Sequence, residues 1–327
     1  MEPTPEMDDD LRPEYDLSQL KGGVRGKYAQ RFGKKAESYE TTAGKLEEFE
    51  VAQFLQRACL EIEPILRASV LPLLVKYQGR LAQLGTGTLF QVADASFIVT
   101  ASHVVEEAAK RRLPLFTFDC VETGQAISLQ QADFQAYTEP LVDVAIARLS
   151  NEIVRAMPNR RFLSVHQTDR ASRRPENATY LVHGYPEVGF TETLTEFKLG
   201  FQPFVALTTL FTGDAPAETQ SKLHLLLRNS TGATDVMTGA DMPLPERLHG
   251  ISGCSVWRLH YEGLSLKHWT PNDAAIVAVQ TGTYGKEIIR ATRWSVVNRL
   301  IRESYPDLAG PLSLVLPTPG QRQMTGI

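Results

Sequence analysis

The stretch LPERLHGISGCSVWRL, residues 244–259, places a serine between two glycines just before an apolar run typical of a strand. Its centre, GISG at 250–253, is small and tightly turned. Two interpretations fit this pattern. It is either an ordinary turn, or it presents Ser252 as a nucleophile whose surroundings must be free of side chains.

The composition is that of an ordinary globular protein. The chain has 327 residues, of which 43% are apolar and 22% charged, and this suits one large β-rich domain with extensions. The net charge of -4 gives no general electrostatic case for binding nucleic acid or an anionic membrane. No apolar run approaches the roughly 18 residues that span a bilayer. Three widely spaced cysteines form a poor disulfide framework, and the acidic opening MEPTPEMDDD lacks the apolar region of a secretory signal. We therefore expect a cytoplasmic protein.

The first 43 residues differ in character from the rest. An acidic start gives way to the basic stretch KGGVRGKYAQRFGKK at 21–35, with too few apolar residues to form a core. One interpretation is a solvated arm, and the other is a docking segment for a protein partner or nucleic acid. The segment LRPEYDLSQLKGGVRGKYAQRF at 11–32 also resembles a short stretch found in small bacterial antitoxin-like proteins.

The stretch KLEEFEVAQFLQRACLEIEPILRA at 45–68 predicts a helix. Its apolar residues recur at spacings of three and four, which aligns them on one face. They are Leu46, Phe49, Ala52, Leu55, Cys59 and Ile62. We expect the helix to end near Pro64, because a proline ring disrupts a helix interior. The apolar face either packs on the core or contacts a partner.

From about residue 69 the pattern changes to short apolar or β-branched runs, many of them separated by turn residues. These runs include SVLPLLVKY, GTGTLFQV, SFIVTA, LPLFTF, VAIARL, TYLVHGYP, KLHLLLR, SVWRLHY and AAIVAVQTG. Such a series predicts an antiparallel barrel or sandwich. A final helical pattern, RWSVVNRLIRESY, follows at 293–305. We therefore expect an arm and helix over 1–68, a mainly β domain over 69–310 and a tail over 311–327.

Two further stretches belong with the glycine-flanked serine. FIVTASHVV at 97–105 puts His103 just after an apolar strand, and LVDVAIARL at 141–149 sets Asp143 at the start of another. Each has an ordinary explanation when taken alone: a structural histidine, a capping aspartate and a loop serine. Together, in the order His, Asp, Ser, they form a specific pattern.

That pattern resembles the trypsin-like serine peptidases of the chymotrypsin fold. FIVTASHVV is similar to the T-A-A-H motif with Ser102 in place of the second alanine, VDVAIARL to D-[IL]-A-[LV], and GISG to G-D-S-G or G-N-S-G. The resemblance covers roughly residues 69–305. It implies a chymotrypsin-like double β-barrel, of two six-stranded barrels, with an N-terminal helical extension and a C-terminal helix. It also implies a protein or peptide substrate, an acyl-enzyme intermediate and no cofactor.

The resemblance assigns roles to individual residues. His103 would accept the proton of Ser252 during attack, while Asp143 holds the imidazole in the right tautomer. The backbone N–H groups of Gly250 and Ser252 would form the oxyanion hole. Ile251 stands where zymogen-type members carry an acidic residue, so activation by a freed N-terminus is not expected. Within this loop, two other nucleophiles remain open as alternatives, Cys254 and Ser255.

The resemblance also suggests which residues bind the substrate. Glu246 would form the floor of the primary pocket and favour Lys or Arg, unless it is an exposed loop charge neutralised by Arg247. The strand AVQTGTY, with Gln280, Thr281 and Gly282, would pair with the substrate backbone by β-strand addition. The alternative for this segment is a plain barrel strand.

Two features stay outside this assignment. The other histidines show no metal-ligand spacing, so we predict no metal site. The rival to a peptidase is a catalytically quiet binding or regulatory module, whose antitoxin-like or partner-recruiting arm carries the main function.

Overall fold

The computed structural model describes residues 42–77, 80–119, 126–137, 139, 141–169, 178–187, 190–193, 198–229, 233–234, 241–242, 249–262 and 265–313. The predictions for the arm before residue 42, for Glu246 with Arg247, and for the chain after residue 313 fall outside these residues.

The described α-helices are α1 (Thr42–Ser69), α2 (Ser102–Lys110), α3 (Asn151–Arg155), α4 (Trp294–Ser304) and α5 (Ala309–Ser313). None of these described helices combines the length and apolar composition needed to cross a bilayer.

Helix α1 continues through Pro64 to Ser69, so the prediction that it ends near Pro64 is wrong. A proline leaves the carbonyl of the residue four earlier without its helical partner. That residue is Leu60, which is 42% exposed, so water can satisfy its carbonyl.

The apolar face of α1 packs on the core of the protein. Its buried members are Phe54, Ala58, Cys59, Ile62 and Leu66. The ring of Phe54 meets the ring of Trp269 edge-on, with centroids 5.5 Å apart. This helix is therefore fixed to the β domain by buried aromatic and aliphatic contacts.

Eighteen strands are described. In chain order they are β1 (Val70–Tyr77), β2 (Arg80–Val92), β3 (Ala95–Thr100), β4 (Leu115–Phe118), β5 (Ala126–Ser128), β6 (Phe134–Ala136), β7 (Ala145–Arg148), β8 (Leu163–Ser164), β9 (Thr179–Gly184), β10 (Phe190–Thr193), β11 (Lys198–Phe201), β12 (Phe204–Thr209), β13 (His224–Arg228), β14 (Ala233–Thr234), β15 (Asp241–Met242), β16 (Ser255–Arg258), β17 (Ala275–Tyr284) and β18 (Ile288–Arg293).

The strands form two large antiparallel sheets and two hairpins. The first sheet runs β5-β4-β1-β2-β3-β7-β6, and β8 adds to β2 in parallel. The second runs β12-β9-β16-β17-β18-β13. The first sheet thus has eight strands among the described residues, where the resemblance implied six. The hairpins are β10–β11 and β14–β15.

The second sheet curls until its two edges meet. Just beyond β12, Leu210 forms an isolated bridge to Leu227 of β13, and the N–H of Phe211 donates to the carbonyl of Leu226 at 3.0 Å. Closure removes exposed strand edges, which is the usual advantage of a barrel. The predicted fold class is confirmed: two curled antiparallel sheets with N-terminal and C-terminal helices, consistent with a chymotrypsin-like double barrel.

Three large apolar clusters hold these parts together: one in the first sheet, one in the second, and one where α1 and α4 meet both sheets. Large members are Leu71, Leu89 and Ile98 in the first, Tyr180, Val182 and Val256 in the second, and Ile62, Phe90, Trp257 and Trp294 in the third. The rings of Phe90 on β2 and Trp294 on α4 meet edge-on at 5.0 Å. The C-terminal helix therefore returns from the second sheet to pack on the first.

Candidate active site

His103 lies in the first turn of α2, directly after β3. The residue before the helix, Ala101, has an extended backbone, and the helix begins at Ser102. The His103 side chain is 49% exposed, so the ring is open to solvent. The sequence predicts the strand before this histidine but not the helix that starts at it.

Asp143 meets His103 because of the register between β3 and β7. Thr100 at the end of β3 pairs with Ala145 at the start of β7, so Asp143, two residues earlier, lies beside the turn into α2. Its Oδ2 is 2.8 Å from Nδ1 of His103. With Nδ1 engaged, Nε2 is the ring nitrogen left to exchange a proton with another group.

The second carboxylate oxygen of Asp143 is also bonded. Oδ1 accepts a hydrogen bond from the Ser102 hydroxyl at 2.7 Å and from the His103 backbone N–H at 3.1 Å. Burial alone would raise the pKa of Asp143, but the His103 hydrogen bond and charge, together with the Ser102 and backbone donors, hold that pKa below its usual value. The carboxylate is therefore ionised and fixed in direction at neutral pH.

The serine loop owes its shape to two glycines. Gly250 and Gly253 have φ angles of 93° and 97°, a region that favours glycine. A Cβ on Gly250 would lie 2.6 Å from the backbone N of Glu187, and one on Gly253 would overlap the Thr86 carbonyl oxygen. Neither position has room for a side chain, which answers why the serine stands between glycines.

The serine loop is bonded to β2 of the first sheet through Thr86. The Thr86 N–H donates to the Ser252 carbonyl at 2.8 Å. Its hydroxyl donates to the Gly250 carbonyl at 2.7 Å and accepts from the Tyr185 N–H at 3.1 Å. The loop of the second sheet is thereby docked on the sheet that carries His103.

Gly85 allows the close approach of these two parts. A Cβ there would lie 2.6 Å from Cγ2 of Val104, the residue after His103, and 3.0 Å from the Ser252 carbonyl oxygen. The serine loop and the start of α2 therefore flank one glycine. Within the described residues the Ser252 hydroxyl makes no hydrogen bond to His103, so the complete triad stays a prediction.

The two alternative nucleophiles of this loop are both buried. Cys254 has no exposed surface, and burial raises the pKa of its thiol far above the usual value. Ser255 is also fully buried, and its Oγ accepts a hydrogen bond from Trp257 Nε1 at 2.9 Å. Ser252 is the half-buried member of the three, so it is the most exposed of these candidates.

The strand next to the loop is β17, with an irregularity between Gln280 and Gly282. The Gln280 carbonyl accepts from the Gly253 N–H and its N–H donates to the Cys254 carbonyl, both at 2.8 Å. Thr281 is buried, whereas Gly282 is half-buried. The backbone of Gln280 is therefore committed to the serine loop, and the role of Gln280, Thr281 and Gly282 in binding a substrate stays a prediction.

The N–H groups assigned to the oxyanion hole have no partner in the described part of the chain. Those of Gly250 and Ser252 donate to no described acceptor, and neither does that of Ile251 between them, whereas the N–H groups of Gly253 and Cys254 do donate, to Gln280 and Ile251. Unengaged donors beside one serine suit an anion that forms during a reaction.

A second group reaches Asp143 that the sequence did not point to. The Arg290 guanidinium on β18 places Nη2 at 3.5 Å from Asp143 Oδ2. In the sequence, Arg290 stands out only as a polar residue between Ile289 and Ala291, which are buried on β18. Strand alternation does not say which group such a residue faces.

Metal chemistry finds no support among the described side chains. No group of three or more His, Cys, Asp or Glu residues in that part of the chain is arranged to hold a metal ion. The described cysteines, Cys59 and Cys254, are free and buried.

No protein-family model matches the chain, and no curated protein matches it. Solved structures do. One is 12% identical, covers 70% of this chain and 87% of its own, and has a TM-score of 0.40. It is described for aromatic interactions that drive the coupled folding and binding of the intrinsically disordered Sesbania mosaic virus VPg protein.

Two further matches are serine proteases. A thermostable serine protease, AL20, from an extremophilic microorganism is 10% identical over 73% of this chain and 98% of its own, with a TM-score of 0.42. A serine endoprotease from Yersinia pestis is 13% identical over 77% of this chain and 67% of its own, with a TM-score of 0.44. Likenesses at this level carry no argument about activity, which has to rest on the geometry of this chain.

Proposed function

We propose that this protein is a serine endopeptidase that hydrolyses peptide bonds with Ser252 as nucleophile, His103 as general base and Asp143 as the orienting carboxylate. The observation that carries the proposal is the hydrogen bond of 2.8 Å between Asp143 and His103 Nδ1. The loop that carries the half-buried Ser252 lies nearby, since Ser252 and Val104, the residue after His103, flank the same glycine, Gly85.

In the proposed reaction, Ser252 Oγ attacks the substrate carbonyl as His103 Nε2 takes its proton. Asp143 stabilises the imidazolium that forms. The N–H groups of Gly250 and Ser252 stabilise the oxyanion, and removal of one such donor costs about 10²–10³ in rate in comparable sites. His103 then returns the proton to the leaving amine, and water hydrolyses the acyl-enzyme by the same route.

A fluorophosphonate probe tests the proposal, because it phosphonylates an activated serine and leaves an ordinary one unmodified. We expect labelling that maps to Ser252, and its loss in Ser252→Ala. Cys254→Ala is the matched control in the same loop and should keep the labelling, since the thiol is buried. Labelling that survives Ser252→Ala, or no labelling of the folded protein, contradicts the proposal.

The substrate remains to be defined by cleavage of a peptide library beside Ser252→Ala. A preference for Lys or Arg before the cleaved bond, abolished by Glu246→Gln, would support Glu246 as the pocket floor. The cytoplasmic location and the docking role of the arm also stay predictions. The quiet-module alternative expects partner binding that depends on residues 1–43 and no labelling.

A further inference from the structure

We propose that Arg290 is a positioning residue for the candidate site: its guanidinium ties Asp143 to the second sheet and limits how strongly that carboxylate favours the His103 imidazolium. This deepens the proposed function and rests on it, because the positioning matters only if His103 acts as a base.

Arg290 contacts the same Asp143 oxygen that bonds the His103 ring. Arg290 Nη2 lies 3.5 Å from Asp143 Oδ2, and the same oxygen is 2.8 Å from His103 Nδ1. The Arg290 and Asp143 side chains are 20% and 18% exposed, so their interaction is only partly screened by water. The carboxylate thus lies between an imidazole and a permanent cation.

The guanidinium is held in place by β17. Nη2 also donates to the Thr281 carbonyl at 3.3 Å, and Nη1 donates to the Tyr284 hydroxyl at 3.3 Å. The guanidinium carbon lies 5.6 Å from the centroid of the Tyr284 ring. Gly282 leaves space for it, since a Cβ there would lie 3.3 Å from Nη2. The cation is therefore fixed relative to the sheet that carries Ser252.

This arrangement crosses the boundary between the sheets. Asp143 and His103 lie in segments that adjoin the first sheet, while Arg290 and Thr281 lie on the second sheet and Ser252 in the loop before it. The contact between Arg290 and Asp143 thus fixes the position of the His103–Asp143 pair relative to the sheet that leads from Ser252. Thr86 provides a similar link at the serine loop, where its backbone N–H and its side-chain hydroxyl donate to the carbonyls of Ser252 and Gly250.

The charge of Arg290 acts in a definite direction. An ionised carboxylate stabilises the imidazolium, and a cation on the same oxygen offsets part of that effect. Among the described residues, the charged or titratable groups in contact with Asp143 are His103 of α2 and Arg290 of β18. Tyr284 of β17 and His224 of β13 lie near Arg290. Burial and the Arg290 charge lower the pKa of His224, while its hydrogen bond to the Leu141 carbonyl acts in the opposite direction.

The test compares Arg290→Met, which removes the charge and the donors, with Arg290→Lys, which keeps the charge. The rate of fluorophosphonate labelling is measured across pH, with thermal unfolding as a check on folding. We expect Arg290→Met to label about 10- to 100-fold more slowly at neutral pH. Its acid limb should move to higher pH, because no cation then offsets the pull of the Asp143 carboxylate on the imidazolium.

Arg290→Lys should keep the position of the acid limb while losing part of the rate. Arg228→Gln is the matched control: it removes an exposed arginine of β13, whose Nη2 bonds Thr212 instead of Asp143. If Arg290→Met has the labelling rate and the pH profile of the wild type, the inference is overturned. It is also overturned if Arg290→Met and Arg290→Lys lose the same labelling rate and the acid limb of neither moves.

A second readout separates this inference from the proposed function. If the wild type is not labelled at Ser252, the proposed function fails. The ring C–H resonances of His103, assigned with His103→Gln and followed by NMR across pH, then still test the link. A higher transition pH in Arg290→Met supports it, and an unchanged transition overturns it.

Discussion

The two sides of the candidate site are built by different means. On the first sheet, His103 and Asp143 are aligned by side-chain hydrogen bonds that converge on one carboxylate. On the second sheet, the loop around Ser252 is shaped by backbone, with two glycines at positive φ and carbonyls bonded by Thr86. The first side therefore depends on side-chain chemistry, and the second depends on the absence of side chains. Substitutions on the two sides should fail in different ways.

The largest expected effect on stability is on the second side, in Gly253→Ala. The new Cβ would overlap the Thr86 carbonyl and the Thr100 hydroxyl, at a φ that resists side chains. We expect the free energy of unfolding, measured by chemical denaturation, to fall by about 3 kcal/mol or more.

Gly285→Ala is the control for that variant. Its φ is 56°, also positive, but no atom lies within 4 Å of the added Cβ. It should cost only the conformational term of about 1 kcal/mol. Equal losses for the two variants would mean that the tight packing around Gly253 contributes nothing.

On the first side, Asp143→Asn should harm the chemistry more than the fold. The amide cannot hold the His103 tautomer or stabilise an imidazolium, so probe labelling should fall by about 10³- to 10⁴-fold. Asp307→Asn is a control, because this aspartate is 60% exposed and pairs with Arg148. If Asp143→Asn labels at the wild-type rate, Asp143 does not orient the base.

A smaller effect is expected at the link between the sides. Thr86→Val keeps the shape of the side chain but leaves the Gly250 carbonyl and the Tyr185 N–H without the hydroxyl that bonds both. We expect a loss of about 2–4 kcal/mol in unfolding free energy. Thr88→Val should cost less, since its hydroxyl makes one longer bond, 3.3 Å to the Gly253 carbonyl. Equal losses in the two would contradict a special role for Thr86.

The effect that is smallest at neutral pH grows only in acid, and it again separates the two regions. Burial lowers the pKa of His183, on β9, to about 3, whereas an unfolded histidine titrates near 6.5. Below about 6.5 the unfolded chain binds a proton that the folded chain does not, so His183 lowers stability by up to about 1.4 kcal/mol per pH unit down to about 3. His183→Gln should remove this slope, and exposed His268→Gln should not.

Asp143 acts in a lower window with the same sign. Its pKa is lowered, so its stabilising contribution is present above the unfolded value near 3.9 and is lost as pH falls through the folded value. Denaturation curves of Asp143→Asn should differ from the wild type in this acid range. If the unfolding free energy of His183→Gln still falls with the wild-type slope between pH 6.5 and 4, burial of His183 is not the cause of that slope.

The sequence was informative where local patterns carry the information. Short apolar and β-branched runs predicted many of the strands, and the motifs around His103 and Asp143 predicted a pair that the β3–β7 register brings together. The glycines around Ser252 were predicted to keep the loop free of side chains, and two of their φ angles are positive.

It was less informative where contacts span the sheets. Arg290 and Thr86 act on residues more than a hundred positions away, and strand alternation does not reveal which partner a polar side chain will meet. Helix α1 continues past Pro64 at a place where Leu60, four residues earlier, is exposed, and local propensity cannot supply this tertiary placement.

The most direct measurement is a crystal structure of the protein after reaction with a fluorophosphonate. The account predicts a bond from phosphorus to Ser252 Oγ, the phosphonyl oxygen within hydrogen-bond distance of the Gly250 and Ser252 N–H groups, and His103 Nε2 facing the adduct. An adduct on another residue, or a phosphonyl oxygen directed away from both N–H groups, would contradict it.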